Sequence, residues 1–339
     1  MGAIAGLCLE HGATVIVPVD EVAVRVLAER GSALPAVVAG PTADQYTALC
    51  DKSELGGSAE RAGVGHPARV VATAGGHGGP WPPLPSVVKT SGVGDPADDA
   101  PQLVRVETAH ARDAAVDRLT SAGAVAIVEE QVAGTHWTVS GVRDAHGEMR
   151  AVACRVLRSF PRGVGMPSII EAVSHEGPAV DAARRLLDSV DYRGPANVQL
   201  FERDGRMLVH DVNLRLPAST LLVMRAGIDL PALGAIAALG RPLPPARRRP
   251  RTGLRYVSLV DELRGIATPA PGSGPSRGTA AAELARAVAS PGTLVDPPLR
   301  DPLWVPPYAL AAARRVARRV SAPRAARAGS PPPGPPPAA

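Results

Sequence analysis

Short apolar runs alternate with helical segments near the N-terminus, and this alternation favours an open-sheet α/β fold. The predicted elements are strands at 14–19 and 36–40 and helices at 1–12, 21–30 and 42–62. Gly31 ends the second helix, and Gly56-Gly57 interrupts the third. The alternation starts with a helix, although domains of this kind usually open with a strand.

The middle of the chain is predicted to hold most of the strands. We expect strands at 86–90, 103–108, 125–132, 136–143, 149–158 and 254–260, and helices at 110–122, 177–190 and 218–239, the last one broken. The runs 197–202 and 206–213 flank Asp204-Gly205, which predicts a tight β-hairpin. The Gly/Pro-rich stretch 74–85 predicts a loop, and residues 266–302 are weakly patterned.

The composition excludes several classes of protein. With 45% hydrophobic and 20% charged residues, the chain is not wholly disordered. Aromatic residues make up only 3%, so aliphatic side chains must build the core. No apolar run approaches the ~20 residues of a membrane-spanning helix. The N-terminus makes a poor secretory signal, and the widely spaced Cys8, Cys50 and Cys154 favour free thiols, so we expect a cytoplasmic protein.

The positive charge is concentrated at the C-terminal end. The net charge is +5, but six arginines and no acidic residue follow Asp301, which leaves −1 for residues 1–301. A nucleic-acid-binding body is therefore disfavoured. A basic amphipathic helix is predicted at 308–320, either as a solvated terminal helix or as an anchor to a membrane surface or nucleic acid.

Only two lysines, Lys52 and Lys89, stand beside 35 arginines. The excess of Arg, Ala, Gly and Pro is typical of a GC-rich genome, in which a position that tolerates either cation drifts to arginine. Unless they persisted by chance, the two lysines mark sites that require a compact ammonium group rather than a planar guanidinium.

The predicted hairpin carries a row of polar side chains. Residues two apart in a strand project to one face, so Asp211, Asn213 and Arg215 would line one side with Gln199 within reach. Carboxylate and amide oxygens suit Mg²⁺, and Arg215 could stabilise negative charge beside the metal. A solvated strand face remains the alternative.

Two other segments carry weaker signals. SVVKT (86–90) followed by SGVG (91–94) is a strand-end lysine before a small-residue loop, which fits a phosphate clamp, although the Walker A spacing is absent. VEEQV (128–132) could present backbone groups to an adenine edge. A plain turn and an exposed strand end are the alternatives.

Taken in order, four segments resemble the ATP-grasp superfamily, in the carboxylate–amine ligase branch that is similar to the large subunit of carbamoyl-phosphate synthetase. The segments are CDKSELGGSAERAGVGHP (50–67), SVVKT, VEEQV and HDVNLR (210–215). They resemble the family's Asp-Lys pair with its Gly-Val-x-x-Pro ending, its Val-Val-Lys-Pro strand, its acidic hinge and its Glu-x-Asn-Pro-Arg signature. The resemblance covers roughly residues 1–245.

The resemblance implies an α/β and α+β architecture, in which two α+β subdomains clamp ATP after a truncated Rossmann-like pre-ATP-grasp domain. It implies nucleotide contacts by Lys52, Lys89, Glu129, Glu130 and Val132, metal ligands at Gln199, Asp211 and Asn213, and catalytic roles for Arg215 and Arg158. The implied domains are 1–66 (pre-ATP-grasp), 67–245 (ATP-grasp), 246–322 (a small region with the basic helix) and 323–339 (a disordered Pro-rich tail).

The sequence departs from the family pattern at several positions. His136 stands where many relatives place a ribose-binding Glu, so its contact with ribose would be a single hydrogen bond. Asp211 replaces the usual Glu and shortens the reach to the metal by one methylene. The first strand and helix of the Rossmann-like domain are missing, which indicates either a misassigned start codon or a shortened domain.

The implied function is that of an ADP-forming ligase, which activates a carboxylate as an acyl phosphate for attack by an amine. ATP and Mg²⁺ would be required, with Mn²⁺ as a substitute. The partners would be small-molecule carboxylates and amines, and a homodimer is compatible with this role. The alternative is a catalytically degenerate ATP-binding regulatory protein.

Overall fold

The computed structural model describes residues 1–91, 103–160, 165–246, 248–267 and 275–298. Contacts divide the chain into a unit Met1–Val295 and a unit Asp296–Ala339, of which only the first three residues are described. The predicted basic helix at 308–320 and the tail at 323–339 lie outside the described residues. So does most of the small-residue loop 91–94, which was predicted to help clamp a phosphate.

The N-terminal region alternates helices and short strands, as predicted. Its elements are α1 (Gly2–His11), β1 (Val15–Ile16), α2 (Glu21–Arg30), a 3₁₀ turn (Gly31–Ala33), β2 (Val37–Val38), α3 (Ala43–Cys50) and α4 (Leu55–Arg61). β1 and β2 pair in parallel. Asp20 caps α2 by accepting a hydrogen bond from the Ala23 backbone N–H, at 2.8 Å.

The predicted break between α3 and α4 was placed at the wrong residues. The helix is interrupted at Asp51–Glu54, where the Asp51 carboxylate accepts hydrogen bonds from the backbone N–H and hydroxyl of Ser53. Gly56 lies inside α4, and a Cβ atom at this position would come 3.0 Å from the Arg69 side chain. The glycine provides space for a neighbouring side chain and does not end the helix.

A five-stranded antiparallel sheet forms the smaller layer. Its strands are β3 (Arg69–Thr73), β4 (Gly76–His77), β5 (Ser86–Thr90), β6 (Leu103–Val106) and β7 (Ala126–Glu130), in the order β4-β3-β7-β5-β6. Helix α5 (Ala109–Ser121) packs on it through Ala115 and Val116. The Gly/Pro-rich stretch 74–85 was predicted as a loop, but it contains the short strand β4, which pairs with β3.

A seven-stranded sheet forms the larger layer. Its strands are β8 (Thr135–Arg143), β9 (Met149–Phe160), β10 (Met166–Ser174), β11 (Gly194–Arg203), β12 (Arg206–Asn213), β13 (Arg255–Ser258) and β14 (Thr293–Asp296), in the order β12-β11-β8-β9-β10-β13-β14. The helices that accompany it are α6 (Pro178–Asp188), α7 (Thr220–Ala226), α8 (Leu230–Ala238), α9 (Leu259–Ala267) and α10 (Arg277–Ala289). The sequence pattern did not reveal β10, α9, α10 or β14, and the strand predicted at 254–260 ends at Ser258, directly before α9 begins.

The predicted hairpin is confirmed. Asp204 and Gly205 both have positive φ, 52° and 73°, which matches the twist that a two-residue hairpin requires. The resulting register places Gln199 opposite Asp211 and Asn197 opposite Asn213. The turn therefore brings the predicted metal-binding side chains of the two strands together.

The core beneath the large sheet is mostly aliphatic, as the composition requires. Helix α6 buries Leu186 and Leu187 completely. Tyr192 is also fully buried, and its hydroxyl donates to the Pro195 carbonyl at 2.8 Å, which satisfies its polar atom. None of the described helices alone has the length and apolarity to span a membrane, while α7 and α8, bent by 94°, meet these criteria only as a broken pair.

We predict that Gly141→Ala destabilises the protein. Gly141 lies in β8, an interior strand of the large sheet, and a Cβ atom there would come within 2.5 Å of the Arg150 carbonyl oxygen on β9. Forcing these strands apart is expected to cost about 1–3 kcal/mol of unfolding free energy. The measurement is urea unfolding followed by circular dichroism.

Gly75→Ala is the matched control. Gly75 is exposed, and a Cβ atom there would meet nothing closer than 3.6 Å. We expect its unfolding free energy to stay within about 0.5 kcal/mol of the unchanged protein. Equal unfolding midpoints for the two variants would contradict the close approach of β8 and β9.

Candidate functional site

An open cleft of about 510 Å³, part of which is bulk solvent, lies between the two sheets. The small sheet contributes Val87, Lys89 and Glu129 to its lining, while the large sheet contributes His136, Phe201 and His210; Glu130 and Val132 also line it. The cleft thus contains most of the residues that the sequence assigns to a nucleotide.

Lys89 is buried at the inner wall of this cleft. Its ammonium nitrogen lies 2.7 Å from Glu129 Oε2 and donates to the His210 backbone carbonyl at 3.1 Å. Burial lowers the pKa of Lys89, and Glu129 opposes this effect. Because Glu129 is on β7 and His210 on β12, the ammonium group connects the small sheet to the large one.

Arg69 extends this charged group toward Lys52. Its guanidinium lies 3.7 Å from Glu129 Oε1 and also donates to the Lys52 backbone carbonyl. Arg69 stands two residues after the segment 50–67 that carries the resemblance, and it was not among the predicted site residues. Its position on β3, which the sequence pattern did not reveal as a strand, explains the omission.

The Lys52 ammonium lies beside the predicted metal ligands, 3.6 Å from Asp211 Oδ1. Asp211 raises the pKa of Lys52, against the effect of burial. For Asp211, burial favours a raised pKa, but the charges of Lys52 and Lys89 outweigh it and hold the pKa below its usual value. The carboxylate is therefore ionised at neutral pH and able to act as a ligand.

The predicted ligand row is assembled around Asp211. Gln199 and Asn213 donate their amide N–H groups to Asp211 Oδ2, at 2.9 and 2.8 Å. Half a turn of the Gln199 amide would present its oxygen in the same place, while the Asn213 oxygen already faces outward from Asp211 and accepts from Arg215. In the described part of the chain, no group of three or more His, Cys, Asp or Glu side chains is placed so that it could hold a metal ion. One carboxylate with amide oxygens fits Mg²⁺, which completes its shell with water and phosphate oxygens.

Arg215 lies next to this row and is held on three sides. It donates to Asn213 Oδ1 and to the Leu216 carbonyl, each at 3.1 Å, and its Nε lies 3.3 Å from Glu21 Oε2. The Tyr46 hydroxyl donates to the other Glu21 oxygen at 3.1 Å. Sequence reasoning missed Glu21 and Tyr46, because they lie in the N-terminal region, far along the chain from Arg215.

Aromatic rings of the large sheet also line the cleft. Phe201 and His210 stack with centroids 4.4 Å apart, and His136 is 4.8 Å from Phe201. The two histidines meet through their Nε2 atoms at 3.1 Å. Burial lowers the pKa of His136 to about 4 and also lowers that of His210, so both rings are neutral at neutral pH. Phe201 is one of only two phenylalanines in the chain, and that scarcity was a usable signal.

Two other predicted site residues, Glu130 and Arg158, form ion pairs with residues outside the group around Asp211. Arg203 holds the Glu130 carboxylate through two contacts at 2.9 and 3.1 Å. The Arg158 guanidinium pairs with Glu262 and Glu283, on helices that follow the large sheet. The structure therefore does not bring Arg158 to the group around Asp211, and its contact with a substrate stays a prediction.

Comparison with known proteins gives a fold but no sequence relative. No protein-family model matches the chain, and neither does any curated protein sequence. A biotin carboxylase from Campylobacter jejuni, solved as a β,γ-ATP complex, matches with a TM-score of 0.59 and 17% identity, over 75% of this chain and 60% of that one.

Two other solved structures are also similar to this chain in fold. The biotin carboxylase domain of 2-oxoglutarate carboxylase from Hydrogenobacter thermophilus, in complex with MgADP, ADP and bicarbonate, gives a TM-score of 0.56 at 16% identity, over 75% of this chain and 60% of that one. An L-amino acid ligase from Bacillus licheniformis gives 0.55 at 16%, over 70% and 59%. The chain has the ATP-grasp fold. It spans about three fifths of the length of these proteins.

The predicted fold class is thereby confirmed. In this ATP-grasp fold, the cleft between the small and the large sheet holds Lys89, Glu129 and His136. The truncation of the Rossmann-like domain before it stays a prediction.

We predict that Glu129→Gln destabilises the protein. Glu129 is 5% exposed and is the carboxylate within 2.7 Å of the buried Lys89 ammonium. Removing one partner of a buried ion pair leaves the other charge uncompensated, so we expect a loss of about 3 kcal/mol or more of unfolding free energy. Chemical denaturation measures this loss.

Glu60→Gln is the control for the same acid-to-amide change. The Glu60 side chain is 70% exposed, so its loss of charge is expected to change the unfolding free energy by less than about 0.5 kcal/mol. If Glu129→Gln behaved like Glu60→Gln, the buried pair would not stabilise the two-sheet arrangement.

Proposed function

We propose that this protein is an ATP-dependent, ADP-forming ligase that activates a carboxylate as an acyl phosphate and joins it to an amine. The observation that carries the proposal is that Lys52, Lys89, Asp211 and Asn213, from three distant parts of the sequence, gather in one place. Lys89 lines the cleft, the charges of both lysines act on Asp211, and Asn213 donates to the same carboxylate. Two ammonium groups beside an oxygen-donor row are what a magnesium-bound triphosphate requires.

The nucleotide would lie along the cleft with its base at the aromatic end. Phe201 offers a ring face for stacking, and the neutral His136 can form one hydrogen bond with the ribose. Lys89 and Lys52 would then neutralise phosphate oxygens at the other end. The backbone beside Val132 supports adenine binding in the place that the resemblance implies.

Gln199, Asp211 and Asn213 would hold Mg²⁺. When bound, the ion supplies neutralisation of charge on the phosphate oxygens. Asp211 is suited to this role because Lys52 and Lys89 keep its carboxyl group ionised despite its burial. The contact of Asn213 with Arg215 fixes the ligand row beside a second source of positive charge.

The reaction needs positioning more than covalent catalysis. A substrate carboxylate attacks the γ-phosphoryl group of ATP and yields an acyl phosphate and ADP; the amine then attacks the acyl carbon and phosphate leaves. Arg215 supports the second step, because its remaining N–H groups can donate to the oxyanion that forms on the acyl carbon.

The neighbours suggest which carboxylates to test first. One was solved with bicarbonate and another is named an L-amino acid ligase, so bicarbonate and amino acids head the panel. The three free and buried cysteines support a reducing compartment such as the cytoplasm. The charged site favours turnover over the alternative of an ATP-binding protein without activity.

We predict that Lys52→Ala weakens Mg-ATP binding. Lys52 is chosen over Lys89 because removing Lys89 would leave Glu129 buried without its closest partner. The loss of one charge-assisted contact, about 1.5–3 kcal/mol, corresponds to a Kd roughly 10- to 100-fold higher in isothermal titration calorimetry.

Two further variants complete this experiment. Asp211→Asn should weaken Mg-ATP binding but leave metal-free ATP binding nearly unchanged, since its role is to hold the ion. Arg206→Ala, at an exposed cation beside the hairpin turn, should bind Mg-ATP as the unchanged protein does. Equal affinity in all variants, or no ADP release with any carboxylate and amine, would overturn the proposed function.

A further inference from the structure

Glu21 brings a carboxylate into the candidate site from a separate part of the fold. It is in the first turn of α2, whose start is fixed by the Asp20 cap. Its side chain is 23% exposed, with one oxygen near Arg215 and the other accepting from Tyr46. It therefore lies at the solvent-accessible edge of the group around Arg215.

Tyr46 fixes the direction of this carboxylate. Burial and the nearby Glu21 charge both raise the pKa of the Tyr46 hydroxyl, which therefore stays protonated and remains a donor. Each carboxylate oxygen has two acceptor positions, and the contacts with Tyr46 and Arg215 use one on each. Glu21 is thus held rigidly and retains capacity for a further donor.

The other acids of the cleft and of the group around Asp211 are committed to different tasks, and Glu130 pairs with Arg203. Glu129 compensates Lys89 and Arg69. Asp211 receives Gln199 and Asn213 and pairs with Lys52. Arg215 does not need Glu21 to be oriented, because Asn213 and the Leu216 carbonyl already hold its two terminal nitrogens.

Its position next to Arg215 assigns a chemical role to Glu21. If Arg215 donates to the oxygen of the acyl carbon under attack, the incoming nucleophile must approach that same carbon. A carboxylate 3.3 Å from Arg215 Nε is therefore beside the path of the nucleophile. An amine arrives mainly as an ammonium ion at neutral pH and must lose a proton before it can attack.

We propose that Glu21 binds the amine substrate as its ammonium ion and accepts the proton whose loss frees the nitrogen lone pair for attack; this inference rests on the proposed ligase function. The nitrogen lone pair forms the C–N bond, and the acyl C–O bond to phosphate breaks with its electron pair leaving on phosphate. Acyl phosphate and ammonium give amide, hydrogen phosphate and one proton, which Glu21 passes to solvent. The substrate class is therefore a primary amine that is cationic at neutral pH.

Hydroxylamine separates this role from the activation step. It is uncharged at neutral pH and traps an acyl phosphate as a hydroxamate, so it needs neither an ion pair nor a base. The experiment measures hydroxamate formation and amine-dependent ADP release for the full chain, with bicarbonate and the proteinogenic L-amino acids as carboxylates and the same amino acids as amines. The variants are Glu21→Gln, Glu21→Asp and Glu29→Gln.

We expect Glu21→Gln to form hydroxamate at the rate of the unchanged protein, where the carboxylate is one that gives this product. Its amine-dependent kcat/KM should fall roughly 100-fold or more, the range of a lost general base. Glu21→Asp keeps the acid and should restore part of the amine-dependent rate. Glu29→Gln, at an exposed acid near the other end of α2, should match the unchanged protein in both assays.

The outcomes distinguish the two proposals. Absence of hydroxamate with every carboxylate in the unchanged protein contradicts the ligase function itself. Hydroxamate without use of any amine, equal amine-dependent rates in Glu21→Gln and the unchanged protein, or an equal fall with hydroxylamine and amines, contradicts the role of Glu21 while leaving activation in place.

Discussion

The buried ammonium of Lys89 is the interaction on which the arrangement of the two sheets depends. An isolated charge at this depth would be strongly destabilising, and it is tolerated because Glu129 lies 2.7 Å away. The same nitrogen donates to the His210 carbonyl on the opposite sheet. The contact between the layers is therefore partly ionic, and the cation that joins them also lines the cleft.

Opposite charges alternate across the rest of the site. Lys52 compensates Asp211, and Arg215 pairs with Glu21, so the cleft is close to neutral without any bound molecule. A magnesium-bound nucleotide would bring its own compensating charge and rearrange these pairs without opposing a large unbalanced field. Preformed pairs also keep the flexible lysine side chains in place, which reduces the entropy lost on binding.

The sequence predicted those features of the site that depend on short sequence motifs and on residue composition. The Asp-Gly turn fixed the hairpin and with it the neighbourhood of Gln199 and Asp211, and the scarcity of lysine singled out both cleft ammonium groups. Glu21 could not be found in this way, because an acid in the first turn of an amphipathic helix is ordinary and only the tertiary fold brings it to Arg215. Strand β10 was not predicted for another reason, since register shifts in its pairing with β9 interrupt the two-residue alternation of a regular strand.

The rigid hold of Tyr46 on Glu21 has a consequence for efficiency. In the proposed reaction, Glu21 would receive the amine, and it comes from a different segment than the groups that would activate the carboxylate. Activation of the carboxylate would therefore not depend on binding of the amine. Any loosening of α2 would leave water as the available acceptor, and the activated intermediate would be hydrolysed with no product formed. In the proposed ligase, the Asp20 cap and the Tyr46 hydroxyl would thus limit futile consumption of nucleotide.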